Sequence, residues 1–133
     1  MRLVGLALAL ATACHHATPV AVPEPPRGPI EGLATGSYGI ATGTLTVKTV
    51  TPEELVFDLA YVTPTEGQHR GDIADGHARR HGADGYDFTS GEDCLIRLTA
   101  SPPGVLEVEQ KGPCASAGFG AYVIVSGLYS RAP

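Results

Sequence analysis

The chain has 133 residues and a formal net charge of −5, from nine lysines and arginines against fourteen aspartates and glutamates. Hydrophobic residues make up 43% and charged residues 17%, which is normal for one globular domain and excludes a disordered chain. No basic run is longer than Arg79-Arg80, which argues against nucleic acid binding, because that function needs a basic surface.

The first thirteen residues are typical of a bacterial lipoprotein signal peptide. Arg2 supplies the positive charge, and residues 3–11 form an apolar stretch too short to cross a bilayer as a helix. Small residues then precede Cys14, so we expect cleavage after residue 13 and lipidation of Cys14. An ordinary secretory signal and a short uncleaved anchor are the alternatives.

Lipidation of Cys14 would attach the protein to a membrane. Two or more acyl chains, at ~0.8 kcal/mol for each buried methylene, give a lasting anchor where one chain does not. His15, rather than aspartate, follows the cysteine, which favours sorting of the lipoprotein to the outer membrane, where the protein would face the periplasm. The sequence therefore predicts a lipid-anchored protein of the cell envelope.

Residues 14–35 carry five prolines, which oppose helix and sheet alike. We expect an extended tether here, at ~3.1 Å per residue and up to ~60 Å long. The single folded domain is predicted to span residues 36–131.

Short alternations of apolar and polar residues, separated by Gly, Pro and Asp, predict strands throughout this domain. In chain order they are Leu45–Thr49, Leu55–Tyr61, Gly71–Ala78, Tyr86–Phe88, Cys94–Leu98, Val105–Gln110 and Phe119–Val125, the last running to Tyr129. Asp84-Gly85 predicts a tight turn before Tyr86. Gly71–Ala78 changes parity along its length, so it is either a strand with a bulge near Asp75-Gly76 or a loop.

Seven or eight strands with short connections predict an all-β antiparallel meander that closes into a small barrel, with an open β-sandwich as the alternative. Gly36-Ser-Tyr38 and Gly127-Leu-Tyr129 have similar form, which indicates that the first and last strands are neighbours. The expected interior side chains are Phe57, Leu59, Phe88, Ile96, Leu98, Val108, Phe119 and Val123.

Two further cysteines, Cys94 and Cys114, are predicted to form a disulfide in an exported chain. The bridge would stabilise the fold by roughly 3 kcal/mol by closing a loop of about twenty residues. Metal ligands or a redox dithiol are the alternatives, but the close spacing typical of such sites is missing.

The second half of the chain contains a series of short motifs whose order can be compared with that of known protein domains. They are His69-x-Gly71-x-Ile73-x-x-Gly76-x-Ala78, Tyr86, Cys94-x-Ile96-x-Leu98, Glu109-Gln110-x-Gly112, Cys114, Gly118-Phe119-Gly120 and Gly127-x-Tyr129. Together, over roughly residues 55–131, they resemble the small exported β-domains of bacterial lipoproteins of poorly defined function, some of them lysozyme-inhibitor-like. The resemblance implies a β-domain outside the cytoplasm.

No group of residues predicts catalysis, a metal site or a cofactor. His77 and His81 would share a zinc ion on a helix, but nearby glycines favour an extended chain, on which four residues span ~13 Å. Carboxylate pairs such as Glu107 and Glu109 are expected to face solvent, and no nucleophile elbow or phosphate loop occurs. Gly118-Phe119-Gly120 is expected to lie in a strand with its phenylalanine packed inward.

The sequence therefore predicts a monomeric, non-enzymatic binding or structural module that has an unknown envelope partner. The alternatives are an inhibitor of a lysozyme-like wall hydrolase, which negative charge would steer towards a basic enzyme, and a calycin-like carrier of a small ligand. The candidate residues for a binding surface are Tyr61, His69, Tyr86 and Tyr122.

Overall fold

The structure is a computed structural model, and it describes Pro19 and residues 28–64, 67–101 and 103–133. Eight antiparallel strands follow one another around a closed barrel. They are β1 (Gly36–Ile40), β2 (Gly43–Val50), β3 (Glu54–Val62), β4 (Arg70–His81), β5 (Gly85–Ser90), β6 (Cys94–Ser101), β7 (Val105–Lys111) and β8 (Gly127–Arg131). The barrel closes where Tyr38 faces Arg131 and Gly39 faces Ser130, so the predicted barrel and its neighbouring first and last strands are confirmed.

The predicted signal peptide and Cys14 lie outside the described residues, so lipidation stays a prediction. In the part of the chain that the structure describes, no helix has the length and apolar character needed to span a membrane.

Large side chains fill the inside of the barrel. Alternation on β3 turns Leu55, Phe57 and Leu59 inward, where at most 2% of each is exposed. Of the predicted interior set only Phe88 is half-buried, and it packs edge-on against Phe57 with ring centroids 5.6 Å apart. Each fully buried side chain of this size stabilises the fold by about 1.5–3 kcal/mol relative to exposure.

The predicted bulge in β4 is confirmed. Phe57 faces Gly76 and Leu59 faces Ile73, so Asp58 is opposite two residues, and the second of them, Asp75, has a φ of 50°. Asp75 donates its backbone N–H to Oδ1 of Asp58 at 2.8 Å. The extra residue switches the parity of the strand, which is why both Ile73 and Ala78 are buried.

The two ends of the barrel differ. We call the end where β1 begins the base; it also holds the β2–β3, β4–β5 and β6–β7 connections. Residues 28–35 close the base: Ile30 is buried in the core, and the carbonyl of Gly28 accepts a hydrogen bond from Nη1 of Arg80 at 3.0 Å. The folded domain therefore begins before the predicted boundary at residue 36.

We call the opposite end the mouth, and the long connection between β7 and β8, residues 112–126, closes it. The prediction of a strand over Phe119–Val125 is wrong: apart from a 3-10 turn at Ala115–Ala117, this connection is irregular, and strand pairing resumes only at Gly127. Phe119, Val123 and Val125 are nevertheless buried, because the connection lies over the apolar interior. Its alternating burial comes from covering the mouth rather than from a sheet.

Candidate binding surface at the mouth of the barrel

The first half of the 112–126 connection is fixed to the β5–β6 side of the mouth. The predicted Cys94–Cys114 disulfide is present, with an S–S distance of 2.00 Å. The carboxylate of Asp93 accepts hydrogen bonds from the backbone N–H and the hydroxyl of Ser116. These bonds hold the pKa of Asp93 below its usual value, so its charge is present at neutral pH.

The connection then crosses the mouth to β4. Phe119 and Val123 pack against Gly71, where a Cβ atom would lie 2.6 Å from Cγ1 of Val123. The backbone N–H of Gly120 donates to the carbonyl of Arg70 at 3.0 Å. Absence of a side chain at Gly71 therefore lets the connection approach the start of β4 closely.

Gln110, on β7, holds the returning half. Its Oε1 accepts the backbone N–H of Val125 at 2.8 Å, and its Nε2 donates to the carbonyl of Val123 at 3.1 Å. The backbone N–H of Gln110 donates to the hydroxyl oxygen of Ser126 at 2.8 Å. One side chain thus supplies the partners that a neighbouring strand would otherwise give.

Tyr122 stands out from this connection. It is 88% exposed, and its φ of 63° is in the left-handed region, which favours glycine or asparagine. It occupies the third position of a turn in which Val123 donates its N–H to the carbonyl of Gly120 at 3.4 Å. This backbone costs a tyrosine about 1–2 kcal/mol, so fold stability alone does not account for Tyr122.

An apolar patch surrounds Tyr122. Ile124 is 56% exposed, and the ring of His69 meets that of Tyr122 edge-on, with centroids 6.0 Å apart. A shallow depression of about 350 Å³ lies beside them. We call the exposed residues among those that line it the mouth patch: Pro113, Ala115, Ala121, Tyr122 and Ile124.

Acidic groups lie beside the mouth patch, on the other side of Pro113. A second open depression, of about 600 Å³, shares Pro113 with the first and is lined by Glu92, Asp93 and Lys111 among others. Nζ of Lys111 lies 3.7 Å from Glu109, whereas Glu92 makes no ion pair within the described residues. An apolar area therefore adjoins an area with net negative charge.

The structure separates the four residues predicted for a binding surface. His69 and Tyr122 are in contact at the mouth, whereas Tyr61 is half-buried against the core at the same end. Tyr86 is not a surface residue: it is fully buried, and its hydroxyl donates to the carbonyl of Thr51 near the base at 2.5 Å. That carbonyl satisfies the phenol, which lets a tyrosine occupy the core.

Sequence reasoning missed Ile124 and Pro113. The alternation in Tyr122-Val123-Ile124-Val125 could have identified Ile124, since burial of the two valines places the residues between them outside. Nothing in the sequence places Pro113 next to Tyr122, because their proximity depends on the fold of the whole connection.

The histidines of β4 point separately into solvent. Nδ1 of His77 lies 3.1 Å from Glu54, and Nδ1 of His81 lies 3.3 Å from Asp87. Across residues 28–64, 67–101 and 103–133, no three His, Cys, Asp or Glu side chains are grouped so that they could hold a metal ion.

Known proteins give no independent guide to this surface. The resemblance to lysozyme-inhibitor-like lipoprotein domains stays a prediction. No family model, no curated protein and no solved structure matches the chain.

Proposed function

We propose that the protein is a membrane-tethered lipoprotein of the cell envelope whose barrel is a non-enzymatic binding module, and that it binds a partner protein through the mouth patch. The observation that carries this proposal is Tyr122, a large apolar side chain exposed on a backbone that disfavours it. The groups presented here are apolar and acidic side chains, which suit association with a protein surface.

The topology supports this arrangement. Residues 28–35 leave the barrel at its base, so a tether from Cys14 would reach the domain at that end. The mouth patch is at the opposite end of the barrel and would face away from the membrane. A lipid anchor and a partner protein would therefore not compete for the same surface.

Charge indicates the chemistry of the partner. Glu92 and the ionised Asp93 adjoin the apolar residues of the mouth patch, and the whole chain has a net charge of −5. Complementarity favours a protein that offers an apolar side chain flanked by lysine or arginine. We place the ligand outside the barrel, since Tyr38, Phe57 and Tyr129 help to fill the interior.

The anchor is tested by replacing Cys14. In membranes of the native host, the unmodified protein is expected to sediment with the membrane, and the Cys14→Ser variant to stay in the soluble fraction. Intact mass of the purified protein should show cleavage after residue 13 and added acyl chains. Recovery of an unprocessed amino terminus would contradict the proposal.

The binding surface is tested by photo-crosslinking in living cells. A photoreactive phenylalanine analogue at Tyr122 should give a discrete adduct, and Ile124→Asp should remove it. The matched control is the same analogue at Leu128, which is 61% exposed on β8 outside the mouth patch. Equal adducts from the two positions, or none from Tyr122, would argue against the mouth patch.

A second candidate function is inhibition of a lysozyme-like wall hydrolase. It is supported by the acidic groups beside the mouth patch and by the mouth connection, which exposes the ring of Tyr122 on a left-handed backbone. In a lysozyme assay, the protein at micromolar concentration should slow lysis, and Tyr122→Asp should restore the rate. Unchanged lysis with the unmodified protein would exclude this function while leaving other partners open.

A further inference from the structure

Within the closed barrel, β4 pairs with β5 over only part of its length. These strands pair through only three positions, Arg79↔Asp87, Arg80↔Tyr86 and His81↔Gly85, although β4 begins at Arg70. Among the described residues, no strand pairs with β4 on this side from Gly71 to Ala78. At ~3.3 Å per residue this leaves an edge of roughly 20 Å without a neighbouring strand.

The direction of the backbone groups along this edge follows from the β3–β4 ladder. Thr63 donates its N–H to the carbonyl of His69, so alternate residues from His69 onward bond to β3. The N–H and C=O groups of Asp72 and the N–H of Ala74 therefore point away from β3, towards the unpaired side. Ala74 lies at the bulge, where Asp75 donates its N–H to Asp58 of β3, so the carbonyl of Ala74 in the same trans peptide also points away from β3. Arg70 belongs to the same set, and its carbonyl accepts the N–H of Gly120 at 3.0 Å.

The bond to Gly120 shows that this edge accepts a main-chain partner from outside the ladder. It uses only the position nearest the mouth. Further along the edge, Asp72 and Ala74 offer two donors and two acceptors about 6.8 Å apart, the spacing of alternate residues in an extended strand. Only another extended main chain matches such a repeat.

Side chains along the edge indicate which extended chain fits. Asp72 is exposed and makes no ion pair within the described residues, so a cross-strand lysine or arginine would complement it. Ile73 is the most exposed member of the buried core, at 8%, and Phe88 on β5 is half-buried. An incoming strand with an apolar residue next to its basic one would cover both.

We propose that the open edge of β4 at Asp72 and Ala74 binds an extended segment of a partner polypeptide, which adds to the sheet through its main chain and sets a basic side chain against Asp72. This site is independent of the lipid anchor and of the mouth patch. The carboxylate of Asp72 makes the edge selective, since an exposed charge discourages uncharged strands from adding indiscriminately.

The test uses an acetylated seven-residue peptide of alternating valine and lysine, with the full chain carrying Cys14→Ser. Amide hydrogen exchange measured by NMR comes first. In the free protein, the amides of Asp72 and Ala74 should exchange faster than those of Gly71 and Ile73, which bond to β3. With peptide, the two fast amides should become protected.

Two peptide variants separate strand addition from simple charge attraction. N-methylation of the alternate peptide amides that face β4 should weaken binding by about tenfold or more, because each methyl group removes a hydrogen-bond donor and keeps the peptide away from β4. N-methylation of the other set of amides, which face away from β4, should change affinity by less than about twofold. Asp72→Lys should weaken binding by about fivefold or more, whereas Asp84→Lys, the same charge change in the β4–β5 turn, should not.

Equal effects of the two methylated peptides would overturn the proposal. So would binding without protection of Asp72 and Ala74, or absence of binding at about 1 mM peptide. None of these results bears on photo-crosslinking at Tyr122, so the two sites can fail separately.

Discussion

Gln110 and Val125 are joined by a hydrogen bond from the backbone N–H of Val125 to Oε1 of Gln110, 2.8 Å long. Because Nε2 of the Gln110 side chain also donates to the carbonyl of Val123, this one side chain fixes the returning half of the mouth connection. We expect Gln110→Ala to lower the free energy of unfolding by about 1–3 kcal/mol, since it removes the side-chain partner of three backbone groups: the N–H of Val125 and the carbonyls of Val123 and Gly112. Urea denaturation measures this change.

Gln68→Ala is the matched control for Gln110→Ala. Gln68 is exposed in the β3–β4 connection at the same end of the barrel, so its loss should change stability by no more than about 0.5 kcal/mol. Similar midpoints for the two variants would contradict the role given to Gln110. Faster amide exchange over residues 119–126 in Gln110→Ala alone would locate the effect in the connection.

Much of the fold could be predicted because the determinants are local. Alternation placed β2, β3, β6 and β7, and the parity change in β4 located the bulge at Asp75. A pair of similar tripeptides indicated that β1 and β8 are neighbours. The strands and the bulge depend on neighbouring residues in the sequence, which is the range over which periodicity carries information, whereas the pairing of β1 with β8 was indicated only by the likeness of the two tripeptides.

What could not be predicted depends on distant contacts. The alternation over residues 119–125 has the period of a strand, but its hydrogen-bond partner is the side chain of Gln110. Burial of Tyr86 requires a hydrogen bond to the carbonyl of Thr51. Burial of Ile30 requires space among the core side chains at the base of the barrel. The mouth patch combines Pro113 with Tyr122, which only the folded connection brings together.

The contact between Gly71 and the mouth connection predicts a specific coupling. Gly71→Ala should lower stability by about 1–3 kcal/mol, because the added Cβ would lie 2.6 Å from Cγ1 of the buried and rotationally stiff Val123. Adding Val123→Ala removes that methyl group. The double variant should therefore be more stable than the sum of the single changes predicts, which a double-mutant cycle in urea measures.

Gly28→Ala serves as the control, since no atom of the described residues, apart from Gly28 and its chain neighbours, lies within 4 Å of the position that its Cβ would take. It should leave the unfolding midpoint unchanged. Additive effects of Gly71→Ala and Val123→Ala would show that the two residues do not oppose each other as the structure indicates.

The pair formed by Asp87 and Arg97 predicts a loss of stability in acid. Nε and Nη2 of Arg97 donate to the two carboxylate oxygens of Asp87 at 2.8 and 2.9 Å, and these bonds lower the pKa of Asp87. A carboxyl with a depressed pKa in the folded state adds stability above its unfolded pKa. That stability is lost as pH falls through the folded value.

The free energy of unfolding should therefore decrease below about pH 4, where the unfolded carboxyl takes up a proton first. Asp87→Asn lacks this ionisation, so it should be less stable than the unmodified protein at neutral pH and lose less as the pH falls. Chemical denaturation at several pH values compares the two slopes. Parallel curves for the two proteins would exclude a contribution from this pair.

Tyr122→Gly distinguishes a residue kept for binding from one kept for folding. Glycine adopts a φ of 63° without the steric cost that tyrosine has, so the variant should be as stable as the unmodified protein or more stable by up to about 1 kcal/mol. It also removes the ring that forms the mouth patch. We therefore expect unchanged or higher thermal stability together with loss of partner binding.

Ala121→Gly is the matched control, because Ala121 is in the same turn but is not among the residues with positive φ. There the glycine relieves no strain and should lower stability by about 0.5–1 kcal/mol. Partner binding, measured as competition for the photo-adduct formed at Tyr122, should survive in Ala121→Gly and be lost in Tyr122→Gly. A Tyr122→Gly variant that is less stable than Ala121→Gly would mean that the tyrosine supports the fold, and the strained backbone would then no longer point to a binding role.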